Sequence, residues 1–115
     1  FEGSLVFANV SFFEEQVQKL LATTPQLRVL IIDGVSINEI DASGEEMLRE
    51  NYKRLTEAGI YVLFVRFKTP IMQILKRSHM YDDIDRSNFY RRPTNAFTRA
   101  WELLVSDEKD SAEKP

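Results

Sequence analysis

The residues best placed to do chemistry lie in one acidic turn. The aliphatic run Arg28-Val-Leu-Ile-Ile-Asp33-Gly34 is followed by Ile40-Asp41-Ala42-Ser43-Gly44, which puts a serine where a helix should start. Free N–H groups at Ala42, Ser43 and Gly44 would form a pocket for an anion. An exposed Ser43 hydroxyl would equally suit phosphorylation, with the helix dipole holding the new charge. A serine beside a helix start is also an ordinary cap. Glu45 and Glu46 follow at once and repel a dianion, which counts against both the anion pocket and phosphorylation.

Asp33, Glu39 and Asp41 gather near the end of the aliphatic run. Carboxylates at a strand end can hold Mg²⁺ for phosphoryl transfer. Here there is no P-loop, no glycine-rich nucleotide fingerprint and no lysine beside the carboxylates, so turn and cap roles are the better reading and no metal or cofactor is assigned. Together with Glu45 and Glu46, Asp33 and Glu39 form a candidate interaction surface. His79, the one histidine, follows Arg77-Ser78 at a helix end, and no spacing fixes a serine or carboxylate as its catalytic partner. Arg86, Arg91 and Arg92 make a basic patch that could meet an acidic partner or lipid head groups, or simply be a solvated surface beside Asp82, Asp83 and Asp85. None of these constellations amounts to an enzyme site.

The bulk properties narrow the field. At 115 residues, with 43% hydrophobic and 29% charged residues, the chain is sized and composed for one globular core. A net charge of -3 gives no basic excess for counterion release, which argues against a nucleic-acid partner. Cysteine is absent, so disulfides and thiol catalysis are excluded. No apolar run approaches the ~20 residues of a membrane span. The chain opens at Phe1 in what reads as the end of a strand, as expected of a fragment cut from something longer, whose missing part could be a membrane domain.

The elements that must position the acidic turn follow from periodicity. Leu5 to Ala8 reads as a short strand, and Ser11 as the cap of a helix whose apolar face is Phe13, Val17, Leu20 and Leu21. Leu27 to Ile32 is aliphatic without alternation, which predicts a strand covered on both faces. Val35, Ile37 and Ile40 would anchor the loop that follows. A helix from Ala42 or Ser43 to Ala58 buries Met47, Leu48, Tyr52 and Leu55 and stops at Gly59. Ile60 to Phe67 is the next strand; Thr69 caps a helix with Pro70 first and Ile71, Ile74 and Leu75 inward. Phe89 lies in a marginal strand after an acidic loop, and a last helix aligns Phe97, Ala100, Trp101 and Leu104. Strands alternating with helices predict an α/β fold with a mainly parallel central sheet of four to five strands, about four helices, and a first strand lost before Gly3. Residues 1–105 form the domain, and residues 106–115 read as a disordered polar tail.

This arrangement resembles the STAS domain, shared by sulfate transporters and anti-sigma-factor antagonists. Asp41-Ala42-Ser43-Gly44 after an Ile-Ile-Asp strand, opening a helix that ends at Ala58-Gly59 before Tyr-Val-Leu-Phe-Val, carries the likeness, which spans Phe1 to Leu104. In the soluble antagonists the serine matching Ser43 is phosphorylated by a partner kinase, and an apolar residue usually follows the glycine where this chain has Glu45. Phe1-Glu-Gly-Ser-Leu-Val-Phe-Ala8-Asn9 and Leu75-Lys-Arg-Ser-His-Met-Tyr-Asp are closer to the carboxyl-terminal cytoplasmic domain of SulP-type sulfate and anion permeases. That branch implies a non-catalytic regulatory domain on the cytoplasmic side of the inner membrane. Its partners would be the transmembrane part of the same transporter and cytosolic regulatory proteins, with weak nucleotide or anion binding near Ser43. The antagonist switched at Ser43 is the alternative.

Overall fold

Four parallel strands and four helices alternate along the chain in the computed structural model, which describes residues 5–9 and 13–113. In chain order they are β1 (Leu5–Asn9), α1 (Phe13–Thr23), β2 (Val29–Asp33), α2 (Ala42–Glu57), β3 (Tyr61–Val65), α3 (Thr69–Arg77), β4 (Phe89–Tyr90) and α4 (Pro93–Glu113). Two 3-10 turns, Met80–Asp82 and Arg86–Asn88, link α3 to β4. The described strands form one sheet in the order β1-β2-β3-β4, with Ile31 paired to Phe7 on one side and Leu63 on the other.

The sheet divides the core in two, because successive side chains of a strand point to opposite faces. Leu30, Ile32, Val62 and Phe64 face α1, α2 and α3, packing with Val17, Leu48, Leu55, Ile71 and Leu75. Val29, Ile31, Leu63 and Val65 face α4, packing with Ala96 and Ala100. Every β2 residue from Val29 to Asp33 is therefore buried, as the unbroken aliphatic run predicts for a strand covered on both faces.

On α4 the buried stripe is rotated from the expected one. Ala96 and Ala100 touch the sheet, while Phe97 is 41% and Trp101 54% exposed. Two alanines four residues apart let the helix axis lie close to the strands, which the large rings would prevent. Phe97 instead stacks on Phe7, a β1 side chain, with ring centroids 5.5 Å apart. Phe89 does belong to the core: its ring lies 4.5 Å from that of Phe64. Helical backbone continues through Glu113, where the composition of residues 106–115 predicts disorder; Glu108, Lys109 and Ala112 are strong helix formers. Helix α3 begins one residue early, with Lys68 at the cap position and Thr69 already helical. The Ser11 cap and the strand before Gly3 fall outside the described residues, as does the side chain of Phe13.

Candidate interaction site at the carboxyl end of the sheet

The turn after β2 is built on Asp33. Its carboxylate is fully buried, and Arg66, the residue after β3, folds back to form an ion pair with it. Arg66 Nε donates to Asp33 Oδ1 at 3.1 Å, and a second guanidinium nitrogen donates to Oδ2. The same Oδ1 accepts the Val35 N–H at 3.0 Å, so the carboxylate also closes the first step of the loop. A buried charge needs such pairing, since desolvating it alone is costly. The pairing with Asp33 holds the Arg66 guanidinium proton even more firmly than usual.

Arg66 reaches Asp33 by adopting a left-handed conformation at φ 58°, which L-residues with a side chain rarely take. Two backbone bonds fix it there: Gly34 N–H donates to Val65 O at 2.9 Å, and Arg66 N–H to Tyr90 O at 3.1 Å. Gly34 has a separate reason to be glycine. A Cβ at that position would lie 2.6 Å from the Phe67 ring, so the β2 turn and the β3 exit touch with no room between them. Lys68 reaches across to the side chain of Asn38, adding a second polar tie between the two loops.

The serine turn stands at the start of α2. Asp41 is the cap, extended at φ -99°, and its Oδ1 accepts the Gly44 N–H at 2.8 Å. That bond uses one of the three amides expected to cradle an anion. Ala42 and Ser43 are exposed, so the hydroxyl is accessible at the first turn of the helix. Ile37 and Ile40 pack onto the core and hold the loop down, whereas Val35 is 38% exposed and does not anchor it.

The structure thus splits the acidic set. Glu39 and Glu46 are exposed and Glu45 is half-buried at the α2 start, but Asp33 belongs to the interior and presents no surface. Among the described residues no three acidic or histidine side chains come together as a metal site. Nor does the order of the described strands reverse anywhere, so they form no crevice of the type that holds ligands in doubly wound sheets. His79 is exposed with φ 61°, closing α3 in the left-handed conformation common after helix ends, and its Nδ1 lies 3.7 Å from Asp82.

Sequence reasoning missed Arg66 and Asn51. Arg66 carried one signal: β2 ends in a charge, another charge follows directly on β3, and the strand register sets Asp33 beside Val65, the residue before Arg66. Asn51 is buried on α2, donating to Met47 O at 2.8 Å; its spacing, three residues after Leu48 and four before Leu55, is the inward signal, and its polar type masks it.

The STAS domain profile matches residues 1–96. The chain belongs to the STAS domain family. Its STAS fold superimposes on the crystal structure of a sulfate transporter family protein from Wolinella succinogenes with a TM-score of 0.78 at 17% identity, covering 91% of this chain and 90% of that one. Murine Solute Carrier 26 family member A9, an anion transporter in the inward-facing state, gives a TM-score of 0.70 at 18% identity, with 85% of this chain and 17% of that chain covered. In sequence, this STAS chain is 26% identical over 98 residues to Sulfate transporter 1.2 of Arabidopsis thaliana and to Low affinity sulfate transporter 3 of Stylosanthes hamata. The match covers 77% and 76% of this chain respectively, and 15% of each transporter. The chain therefore corresponds to a small part of the length of these relatives. No helix among its described residues is long and apolar enough to cross a membrane.

Proposed function

We propose that this STAS domain is a non-catalytic regulatory and interaction module of a sulfate or related anion transporter. It would lie on the cytoplasmic side of the membrane, docked to the transmembrane part of the same protein and open to cytosolic regulators. The observation that carries the reading is the likeness to named sulfate transporters across about three quarters of the chain. The α2 start supports it: Glu39, Glu45 and Glu46 give an acidic rim around a loop held rigid by Asp33 and Arg66. A rigid turn with exposed charge suits docking against a complementary surface.

Two measurements test it. The coding sequence upstream of Phe1 should contain roughly ten or more apolar spans of ~20 residues. In the full-length protein, changing Glu39, Glu45 and Glu46 together to glutamine should lower anion uptake at equal membrane abundance. Unchanged uptake would remove this turn from the docking surface.

The exposed Ser43 favours a second reading, an antagonist switched by phosphorylation. A start codon a few residues before Phe1, with kinase-dependent modification abolished by Ser43→Ala, would select it over the first.

A further inference from the structure

The groove between α3 and β4 has no part in the reading above, and its chemistry differs from that of the serine turn. Here the surface folds into a hollow of about 340 Å³, within the range of about 300–1,000 Å³ for small-molecule sites. Three cations converge on it from separate elements: Lys76 from the last turn of α3, Arg86 from a 3-10 turn, and Arg91 just after β4. Tyr81, Phe89 and Tyr90 supply aromatic walls, with the Tyr81 and Phe89 rings edge to face at 5.6 Å. Among the described residues no carboxylate lines the hollow.

None of the neighbouring aspartates forms an ion pair with these cations. Asp82 lies by His79, Asp83 pairs with Arg49 at 2.9 Å, and Asp85 accepts the Ser87 N–H at 2.9 Å. Among the described residues none of the ion pairs includes Lys76, Arg86 or Arg91. A chain of net charge -3 thus concentrates three unpaired positive charges around an aromatic hollow.

We propose that this groove binds a small aromatic phosphate or sulfate ester. The cations would hold the oxyanion through charge-assisted hydrogen bonds, and the aromatic walls would take the flat apolar body. Neither part of the site accounts for the other. An inorganic anion would leave the aromatic walls uncovered, and a neutral arene would leave the cations unmatched.

Amide NMR and calorimetric titration of the chain with phenyl phosphate, phenyl sulfate, inorganic phosphate and phenol test the proposal. Either ester should bind saturably and move the resonances of Lys76, Tyr81, Phe89, Tyr90 and Arg91, with the tighter of the two naming the oxyanion. Inorganic phosphate and phenol should each bind at least about tenfold more weakly than that ester. Arg86→Ala combined with Arg91→Ala should weaken the ester about tenfold or more, with the dispersed amide spectrum retained, and Ser43→Ala should leave it unchanged. Binding that is not saturable overturns the proposal. So does an ester that perturbs Asp41 to Gly44 instead, or inorganic phosphate bound as tightly as the ester.

Discussion

The carboxyl end of the sheet and the groove beside α3 both carry charge next to aromatic rings, yet they are built in opposite ways. At the first, Asp33 is fully buried and answered within the chain by Arg66, and Gly34 lies against Phe67 with no space for a methyl group. At the second, Lys76, Arg86 and Arg91 surround open volume and meet no carboxylate among the described residues. Charge that is paired and buried fixes the position of a loop, because separating it exposes a large desolvation cost. Charge left unpaired around a hollow costs little while solvated and remains available to a ligand. The difference teaches where to look for function in this fold: the residues most tightly held are scaffold, and the serine turn and the cationic groove are what the scaffold presents.

The largest effect should come from the scaffold strand itself. Ile31→Ala removes a fully buried side chain between β1 and β3 and should cost about 2–5 kcal/mol by urea unfolding. A loss well under about 1 kcal/mol would mean that β2 is an edge, contradicting the sheet order. The next test compares arginines directly. Arg66→Ala strands the Asp33 carboxylate in the interior and should lower the urea midpoint clearly. Arg86→Ala and Arg91→Ala, each on an exposed residue without an ion partner, should leave the midpoint in place. If all three shift it equally, the groove cations are structural and the contrast between the two regions fails.

Most of the fold was legible in the sequence because the strongest signals were local. The unbroken aliphatic run at β2, the stop at Gly59, and the helix opening at Ala42 follow from patterns a few residues long, and the STAS resemblance rested on their order. What was not legible depended on contacts across the sheet. Asp33 looked like a surface carboxylate because its partner, Arg66, lies just beyond another strand and is brought near only by the β2–β3 register. Trp101 looked like core because large aromatics usually are, whereas the sheet face under α4 buries Ala96 and Ala100, with Leu103 and Leu104 partly buried beside them. The groove was invisible for the same reason: Arg86 and Arg91 were seen beside three aspartates in sequence, and only the structure shows that none of those aspartates forms an ion pair with them.

A smaller effect separates cap from surface within the serine turn. Asp41→Ala removes the acceptor for Gly44 N–H and should cost about 0.5–2 kcal/mol. Ser43→Ala deletes an exposed hydroxyl and should stay within about 0.5 kcal/mol of the parent. Equal losses would mean that Ser43 holds the helix start as firmly as Asp41 does, and its hydroxyl would then be less free for modification.

The smallest effect probes the groove through Tyr81. Burial disfavours the phenolate and raises the Tyr81 pKa above the ordinary tyrosine value, while the nearby Arg86 charge pulls it part of the way back. The unfolded chain therefore loses this proton first. The contribution to stability is complete below about pH 10 and is lost as pH rises through the folded-state pKa. Arg86→Ala removes the downward pull, so Tyr81 should titrate at still higher pH, read as tyrosinate absorbance by difference from Tyr81→Phe. An anion seated among the cations should push the titration the same way, because it screens Arg86 and repels the phenolate. A Tyr81 midpoint unmoved by Arg86→Ala would show that this guanidinium does not face the groove, and the convergence of three cations would be reduced to two.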